Sequence, residues 1–254
     1  MIYAAALASE KVDDEGDYIK TRPFTEAYQD VITRLEKLVD DIDASDAIVC
    51  LSKGRSFRYA LEPTYKSNRA NLCKPALVEP LKDELIERRK PFGVLAIPGL
   101  EADDICGISS TALQRADLRE PVIVSIDKDM QTVPGLSYSW LREDDGIVET
   151  TEQQADMRHL VQTLMGDPVD GYAGCPGIGK ARATKALTGV EDLWATVLSV
   201  FADRDLGAHY ALTQARLAYI LRDSNWDITK REIKLWQPPS VTAAHETMRL
   251  VTIQ

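Results

Sequence analysis

Val122-Ile-Val-Ser-Ile-Asp-Lys-Asp129 is a short apolar run, rich in β-branched residues and closed by two carboxylates. Such a run predicts a buried strand. A carboxylate ending it is hard to explain as surface decoration, because the backbone breaks away there and Asp127 and Asp129 can both face one cleft. Working outward, Ala47-Ile-Val-Cys-Leu51 and Gly93-Val-Leu-Ala-Ile97 are two further strand-like runs. Ahead of the first, Ala27, Val31, Leu35, Leu38, Val39 and Ile42 recur at helical spacing, and between the two a second helix is expected over 76–89. Strands alternating with helices predict an α/β fold with a parallel sheet, and such sheets carry their sites at strand C-termini.

After Thr150 the pattern changes to helices, expected over 151–165, 179–187, 190–201 and 208–222, with Pro and Gly between them. The expected organisation is a catalytic α/β domain over 1–150, a helical region over 151–238 and a tail over 239–254. Residues 53–74 are polar and basic with no clean period, and are read as a mobile loop or helical arch. The opening Ile-Tyr-Ala-Ala-Ala-Leu-Ala reads as part of a helix. It has no basic start of a signal peptide, and no apolar run reaches membrane length.

With 254 residues, 44% of them apolar, the chain can bury a substantial core. Its net charge of −10 excludes a basic DNA-coating protein but not a local nucleic-acid site. Cys50, Cys73, Cys106 and Cys175 show no paired spacing, which fits a reducing compartment better than a disulfide frame or zinc site. The three histidines have no ligand spacing and are read as structural, and Trp194, Trp226 and Trp236 as core.

Seven carboxylates fall in three clusters: Glu101, Asp103 and Asp104; Asp127 and Asp129; Asp167 and Asp170. Acids grouped in this way repel one another unless a cation lies between them. An all-oxygen set favours Mg2+ or Mn2+ over zinc. Two ions about 4 Å apart can activate a water and stabilise the leaving oxygen of a phosphodiester. Any one cluster alone is an ordinary acidic helix start; the three together favour metal. Gly174-Cys-Pro-Gly-Ile-Gly-Lys-Ala-Arg182 follows, a turn entering a helix whose free amides can hold a phosphate oxygen beside Lys180 and Arg182. Arg58, Tyr59, Tyr65, Lys66 and Arg69 mix cations with aromatics, as strand-gripping surfaces do.

In this order the motifs resemble the flap endonuclease and 5′→3′ exonuclease family, and most of all the exonucleases of short-tailed bacteriophages. The likeness lies in Phe57-Arg58, Pro63-Thr-Tyr-Lys66-Ser-Asn-Arg69, Leu100-Glu-Ala-Asp-Asp104, Ser125-Ile-Asp-Lys-Asp129 and Gly166-Asp-Pro-Val-Asp-Gly-Tyr-Ala-Gly174. It continues through Gln214-Ala-Arg-Leu-Ala-Tyr-Ile-Leu-Arg222 and Glu232-Ile-Lys-Leu-Trp-Gln-Pro238. The resemblance implies a PIN-like nuclease domain with a helical C-terminal region containing a helix–three-turn–helix. It implies metal ligands Glu101, Asp103, Asp104, Asp127, Asp129, Asp167 and Asp170, with Asp127, Asp129 and Lys66 carrying the reaction. Lys66 and Arg69 fall at the base of an arch for the single-stranded 5′ end. Arg58, Gly174, Gly177, Gly179, Lys180 and Arg182 join them as DNA contacts.

The implied activity is two-metal hydrolysis at 5′ ends, nicks or flaps of double-stranded DNA, with RNA–DNA hybrids as a further partner. K+ at the hairpin is a further implied ion, and the host cytoplasm the implied location. Two departures stand out. The family starts with a strand ending in a metal-binding Asp ahead of the helix that here begins near Ile2, and a native N-terminus longer than this chain is the reading favoured. Lys53 also stands where an acid is usual. The alternative is a structure-specific DNA-binding module with weak or no catalysis.

Overall fold

The computed structural model describes residues 1–69, 74–239 and, for the backbone, 250–252. The chain divides into two compact units, residues 1–51 with 71–97 and residues 52–70 with 98–254. Among the described residues no helix is long and apolar enough to cross a membrane.

The first unit opens with helix α1 (Ile2–Ala8), the antiparallel hairpin β1 (Glu10–Val12) and β2 (Tyr18–Lys20), and helix α2 (Phe24–Asp41). Strand β3 (Ile48–Cys50), helix α3 (Val78–Arg88) and strand β4 (Gly93–Leu95) complete it. β3 and β4 pair in parallel with Ile48 opposite Gly93. The helical stripe read from the sequence is the packed face of α2: Ala27, Val31, Leu35 and Leu38 are buried with Leu77, Leu81, Leu85 and Val94. Glu10 is buried as well, its carboxylate accepting the N–H groups of Ala76 at 2.9 Å and Leu77 at 2.8 Å. That satisfies amides at the start of α3, which has no side-chain cap of its own.

The second unit holds helix α4 (Ala102–Arg115) and a mixed sheet of β5 (Val122–Val124), β6 (Gly135–Tyr138) and β7 (Val148–Thr150). β5 pairs with β6 in parallel and β6 with β7 antiparallel. The helices α5 (Glu152–Met165), α6 (Lys180–Leu187), α7 (Leu193–Ala202) and α8 (Ala208–Ala218) follow. α5 begins at a capping box: Thr151 Oγ1 accepts the Gln154 N–H, and Gln154 Oε1 accepts the Thr151 N–H. Leu160, Leu164, Leu187, Trp194, Val197 and Phe201 form the core between these helices. Strands β8 (Trp226–Asp227), β9 (Glu232–Lys234) and β10 (Leu250–Thr252) make an antiparallel sheet beyond them.

His159 is a core residue, as read: burial holds its imidazole down at about 4, so it is neutral and its Nε2–H donates to Ala215 O at 2.8 Å. Trp194 is buried and stacks edge-on against Trp236, whereas Trp226 is half-buried. His245 lies outside the described residues, and so does Cys73. The helix expected over 208–222 stops at Ala218, because Tyr219 turns to φ −76°, ψ 124° and leaves the helical region.

Candidate active site

The acidic clusters all belong to the second unit. Glu101 stands at the N-cap of α4 and its N–H donates to Asp104 Oδ2 at 3.1 Å, which places residues 101 and 104 on one side of the first turn. Asp127 closes the β5 segment at the N-cap of a short 3-10 turn and accepts the Asp129 N–H at 2.9 Å. Asp167 and Asp170 share the loop after α5, where Asp167 Oδ1 accepts the N–H groups of Val169 at 2.7 Å and Asp170 at 3.3 Å.

Electrostatics divides the seven acids into two sets. Glu101, Asp104 and Asp170 already have cations. The Arg58 guanidinium forks onto Asp104, Nη1 to Oδ2 at 2.7 Å and Nη2 to Oδ1 at 2.9 Å, and Nη1 also reaches Glu101 Oε2 at 2.9 Å. The Lys66 ammonium contacts Glu101 and lies 3.4 Å from Asp170 Oδ2, while Arg69 Nη2 holds Asp170 Oδ1 at 2.6 Å. The Tyr65 hydroxyl lies between Glu101 Oε2 at 3.1 Å and Asp170 Oδ2 at 2.9 Å, donating to one or the other. Burial alone would raise the Glu101 carboxyl, but Arg58 and Lys66 more than offset it and hold it below the usual carboxylate range.

Asp103 and Asp129 are the opposite case. Burial first, then the charges of Asp127, Asp104 and Glu101, push Asp103 up to about 7. Burial and Asp127 also raise Asp129, against a hydrogen bond from Gln162 Nε2 to its Oδ2 at 2.8 Å. Asp167 adds to the field at Asp129. Asp127 thus repels both Asp103 and Asp129, and Asp167 repels Asp129, the electrostatic signature of a place for added positive charge.

Among the described residues no three histidine, cysteine or carboxylate side chains stand close enough to hold one ion by themselves. Mg2+ commonly takes one or two carboxylates and keeps several waters, so the donor set fits that ion or Mn2+ and fits zinc poorly.

Three residues expected in the site have their polar atoms engaged inside the protein. Arg58, expected on the DNA, is only 3% exposed and spends its donors inside the protein. Asp104, expected as a ligand, is 0% exposed and has both oxygens engaged by Arg58 and by the N–H groups of Glu101 and Leu221. Gly174, expected among the DNA contacts, is buried and donates its N–H to Gln214 Oε1 at 2.8 Å. Gly177, Gly179, Lys180 and Arg182 are exposed, and Arg182 Nη1 clamps the turn through Gly177 O at 2.8 Å. Lys53 is also exposed, its carbonyl accepting the Gly99 N–H at 3.2 Å.

Gln162 is a residue the sequence reading missed, since a lone glutamine on a helix carries no motif; only its position on the α5 face toward Asp129 reveals it. Replacing it by leucine removes a hydrogen bond to a charged group at nearly constant volume. With that donor gone, the Asp129 carboxyl of a Gln162→Leu variant is expected to titrate higher than in the wild-type chain, and a carboxyl NMR titration in which it does not move would refute the contact.

Residues 7–161 match the family described as the 5′-3′ exonuclease, N-terminal resolvase-like domain. The exonuclease of Escherichia phage T7 is 30% identical over 208 residues, 70% of this chain and 69% of that protein. The exodeoxyribonuclease of Enterobacteria phage T3 is 30% identical over 210 residues, 71% and 69% of the two chains. In fold the chain is similar to the T5 5′-exonuclease solved with divalent metal ions (zinc), with a TM-score of 0.57 at 19% identity, covering 78% of this chain and 82% of that one. It is equally similar to a T5 D15 flap endonuclease solved with DNA and metal ions, again at TM-score 0.57 and 19% identity, over 78% and 81%. Resolvase-like α/β architecture, acidic clusters at strand and helix ends and the phage relatives agree: this chain is a nuclease and belongs to the 5′–3′ exonuclease family.

Proposed function

We propose that this chain hydrolyses phosphodiester bonds at the 5′ ends of duplex DNA, including nicks and flaps, with two Mg2+ or Mn2+ ions. The observation that carries this reading is the unpaired acidic group of Asp103, Asp127, Asp129 and Asp167, beside acids that Lys66 and Arg69 already neutralise. Divalent ions bound there supply a more acidic water and charge neutralisation at phosphorus. Asp127 and Asp129 hold them from the sheet side, Asp103 from the first turn of α4 and Asp167 from the loop after α5. Gln162 fixes the rotamer of Asp129.

Lys66 and Arg69 present cations where the 5′ end is to be held, and Asp170 and Glu101 keep those cations in place until DNA arrives. Gly177, Gly179, Lys180 and Arg182 grip duplex phosphates at the start of α6, a contact that reads no base and so carries no sequence preference. K+ is a fitting ion for the same turn. RNA–DNA hybrids are the secondary substrate, and one assay across blunt, nicked, gapped and flapped duplexes ranks the substrates.

The Asp129→Asn variant is expected to lose Mg2+-dependent release from a 5′-labelled duplex by roughly a thousand-fold or more while still binding DNA. Undiminished release by that variant would end the assignment.

A further inference from the structure

We infer that Arg58 is a positioning residue: paired with Asp104, it holds Glu101 in place at the head of α4, and it never touches the DNA strand. This rests on the nuclease reading above and adds a residue role to it.

An arginine has five N–H donors in a rigid fork. Each has a partner here. Nε donates to Leu217 O at 3.0 Å, Nη1 to Asp104 Oδ2 and Glu101 Oε2, and Nη2 to Asp104 Oδ1 and Tyr219 O, the last at 2.7 Å. No donor remains for a phosphate. Asp104 is matched in the same way, because its two oxygens accept two bonds from Arg58, one from the Glu101 N–H and one from the Leu221 N–H at 3.2 Å.

The chain rearranges around this pair. α8 ends at Ala218, and the residues after it turn the Tyr219 carbonyl to Arg58 and the Leu221 amide to Asp104. Gly107, one turn further along α4, lets Leu221 O come so close that a Cβ there would lie 2.3 Å from it. Three sequence-distant segments are thus locked at one buried point, and Glu101 is what that point presents to the site. Its Oε2 is fixed by Arg58, with Tyr65 at 3.1 Å and Ser56 Oγ at 3.4 Å. A buried ion pair adds little net stability and can often be replaced by apolar groups without loss, whereas it defines one geometry closely. A guanidinium forked onto Asp104 and reaching Glu101 through Nη1 is therefore worth more to orientation than to folding.

The test is kinetic, on the full chain with Mg2+ and a 5′-labelled duplex. Arg58→Lys keeps the charge but not the fork. It is expected to lower kcat by about a hundred-fold, with KM for DNA within about twofold. In a Glu101→Gln background the same change should cost under threefold more, since both act through one carboxylate. A tenfold rise in KM at intact kcat would mean a direct DNA contact and overturn the inference. Additive losses across the cycle would mean general structural damage and overturn it too. If Arg58→Lys melts before assay, the charge-neutral pair Arg58→Met with Asp104→Leu replaces it, and full activity in that folded pair would refute positioning. A wild-type chain active in the same assay keeps a failure here separate from a failure of the nuclease reading; an inactive one removes both.

Discussion

The Asp103→Asn variant is expected to be more stable than the wild-type chain at pH 8 in chelator, and inactive. Asp103 is half-buried without a cation, and its carboxyl is held up at about 7 by burial and by Asp127, Asp104 and Glu101. The folded state therefore keeps that proton at pH values where the unfolded chain has already released it. Stability falls as pH rises from about 4 to about 7 and stays low above that window. Asparagine removes the uncompensated charge at constant shape. The gain at pH 8 is on the order of 2 kcal/mol, a rise in Tm of several degrees, and it vanishes near pH 4. Mg2+ should raise the melting temperature of the wild-type chain and do much less for the variant. Thermal melts at pH 4 and 8 with chelator or Mg2+ measure all of this. A variant that melts lower at pH 8 would show that the acidic group is not repelling itself.

Gly174→Ala has the second large effect. Gly174 sits at φ +62°, and an added Cβ would lie 2.2 Å from Gly166 N and 2.6 Å from Met165 C. Those are backbone atoms at the end of α5, so no rotamer change relieves the clash. Gly166 is constrained from the other side, with φ +69° and the Ala173 carbonyl carbon 2.4 Å from its own virtual Cβ. The two glycines close the loop that carries Asp167 and Asp170. Alanine at 174 is expected to destabilise the protein by about 3 kcal/mol or more. Gly177→Ala is the control: φ is +75° but nothing lies within 4 Å, so only the backbone conformation is penalised, by about 1 kcal/mol. Urea unfolding of the two variants compares them directly, and equal losses would show that the close approach is not what the glycine serves.

Periodicity made the helices legible. The stripe from Ala27 to Leu38 is the buried face of α2, and the apolar runs around Ile48, Val94 and Ile123 are the parallel strands. The hairpin β1–β2 and the strands β6 to β9 escaped notice because polar residues break each of them, whereas β3, β4 and β5 lie in unbroken apolar runs. The acidic clusters and the glycine turn were legible as composition. Which acids already have partners was not, because the cations that neutralise Glu101, Asp104 and Asp170 come from residues 58 to 69, more than thirty positions away. The same non-locality hid Arg58. In sequence it is one more cation in a basic stretch, and only the carbonyls of Leu217 and Tyr219 show it to be internal. The partner of the Gly174 amide was not legible either, because a turn glycine's N–H is free until a distant side chain, here Gln214, claims it.

The Leu217 and Tyr219 carbonyls and the Leu221 amide also set how short an expression fragment can be. Trimming the gene at residue 161, where the match to the family ends, would strip Arg58 of two acceptors and Asp104 of one donor, stranding a charged couple in a half-built interior. Such a fragment should be insoluble or molten, and crystallisation or screening work is better served by keeping everything through Leu235.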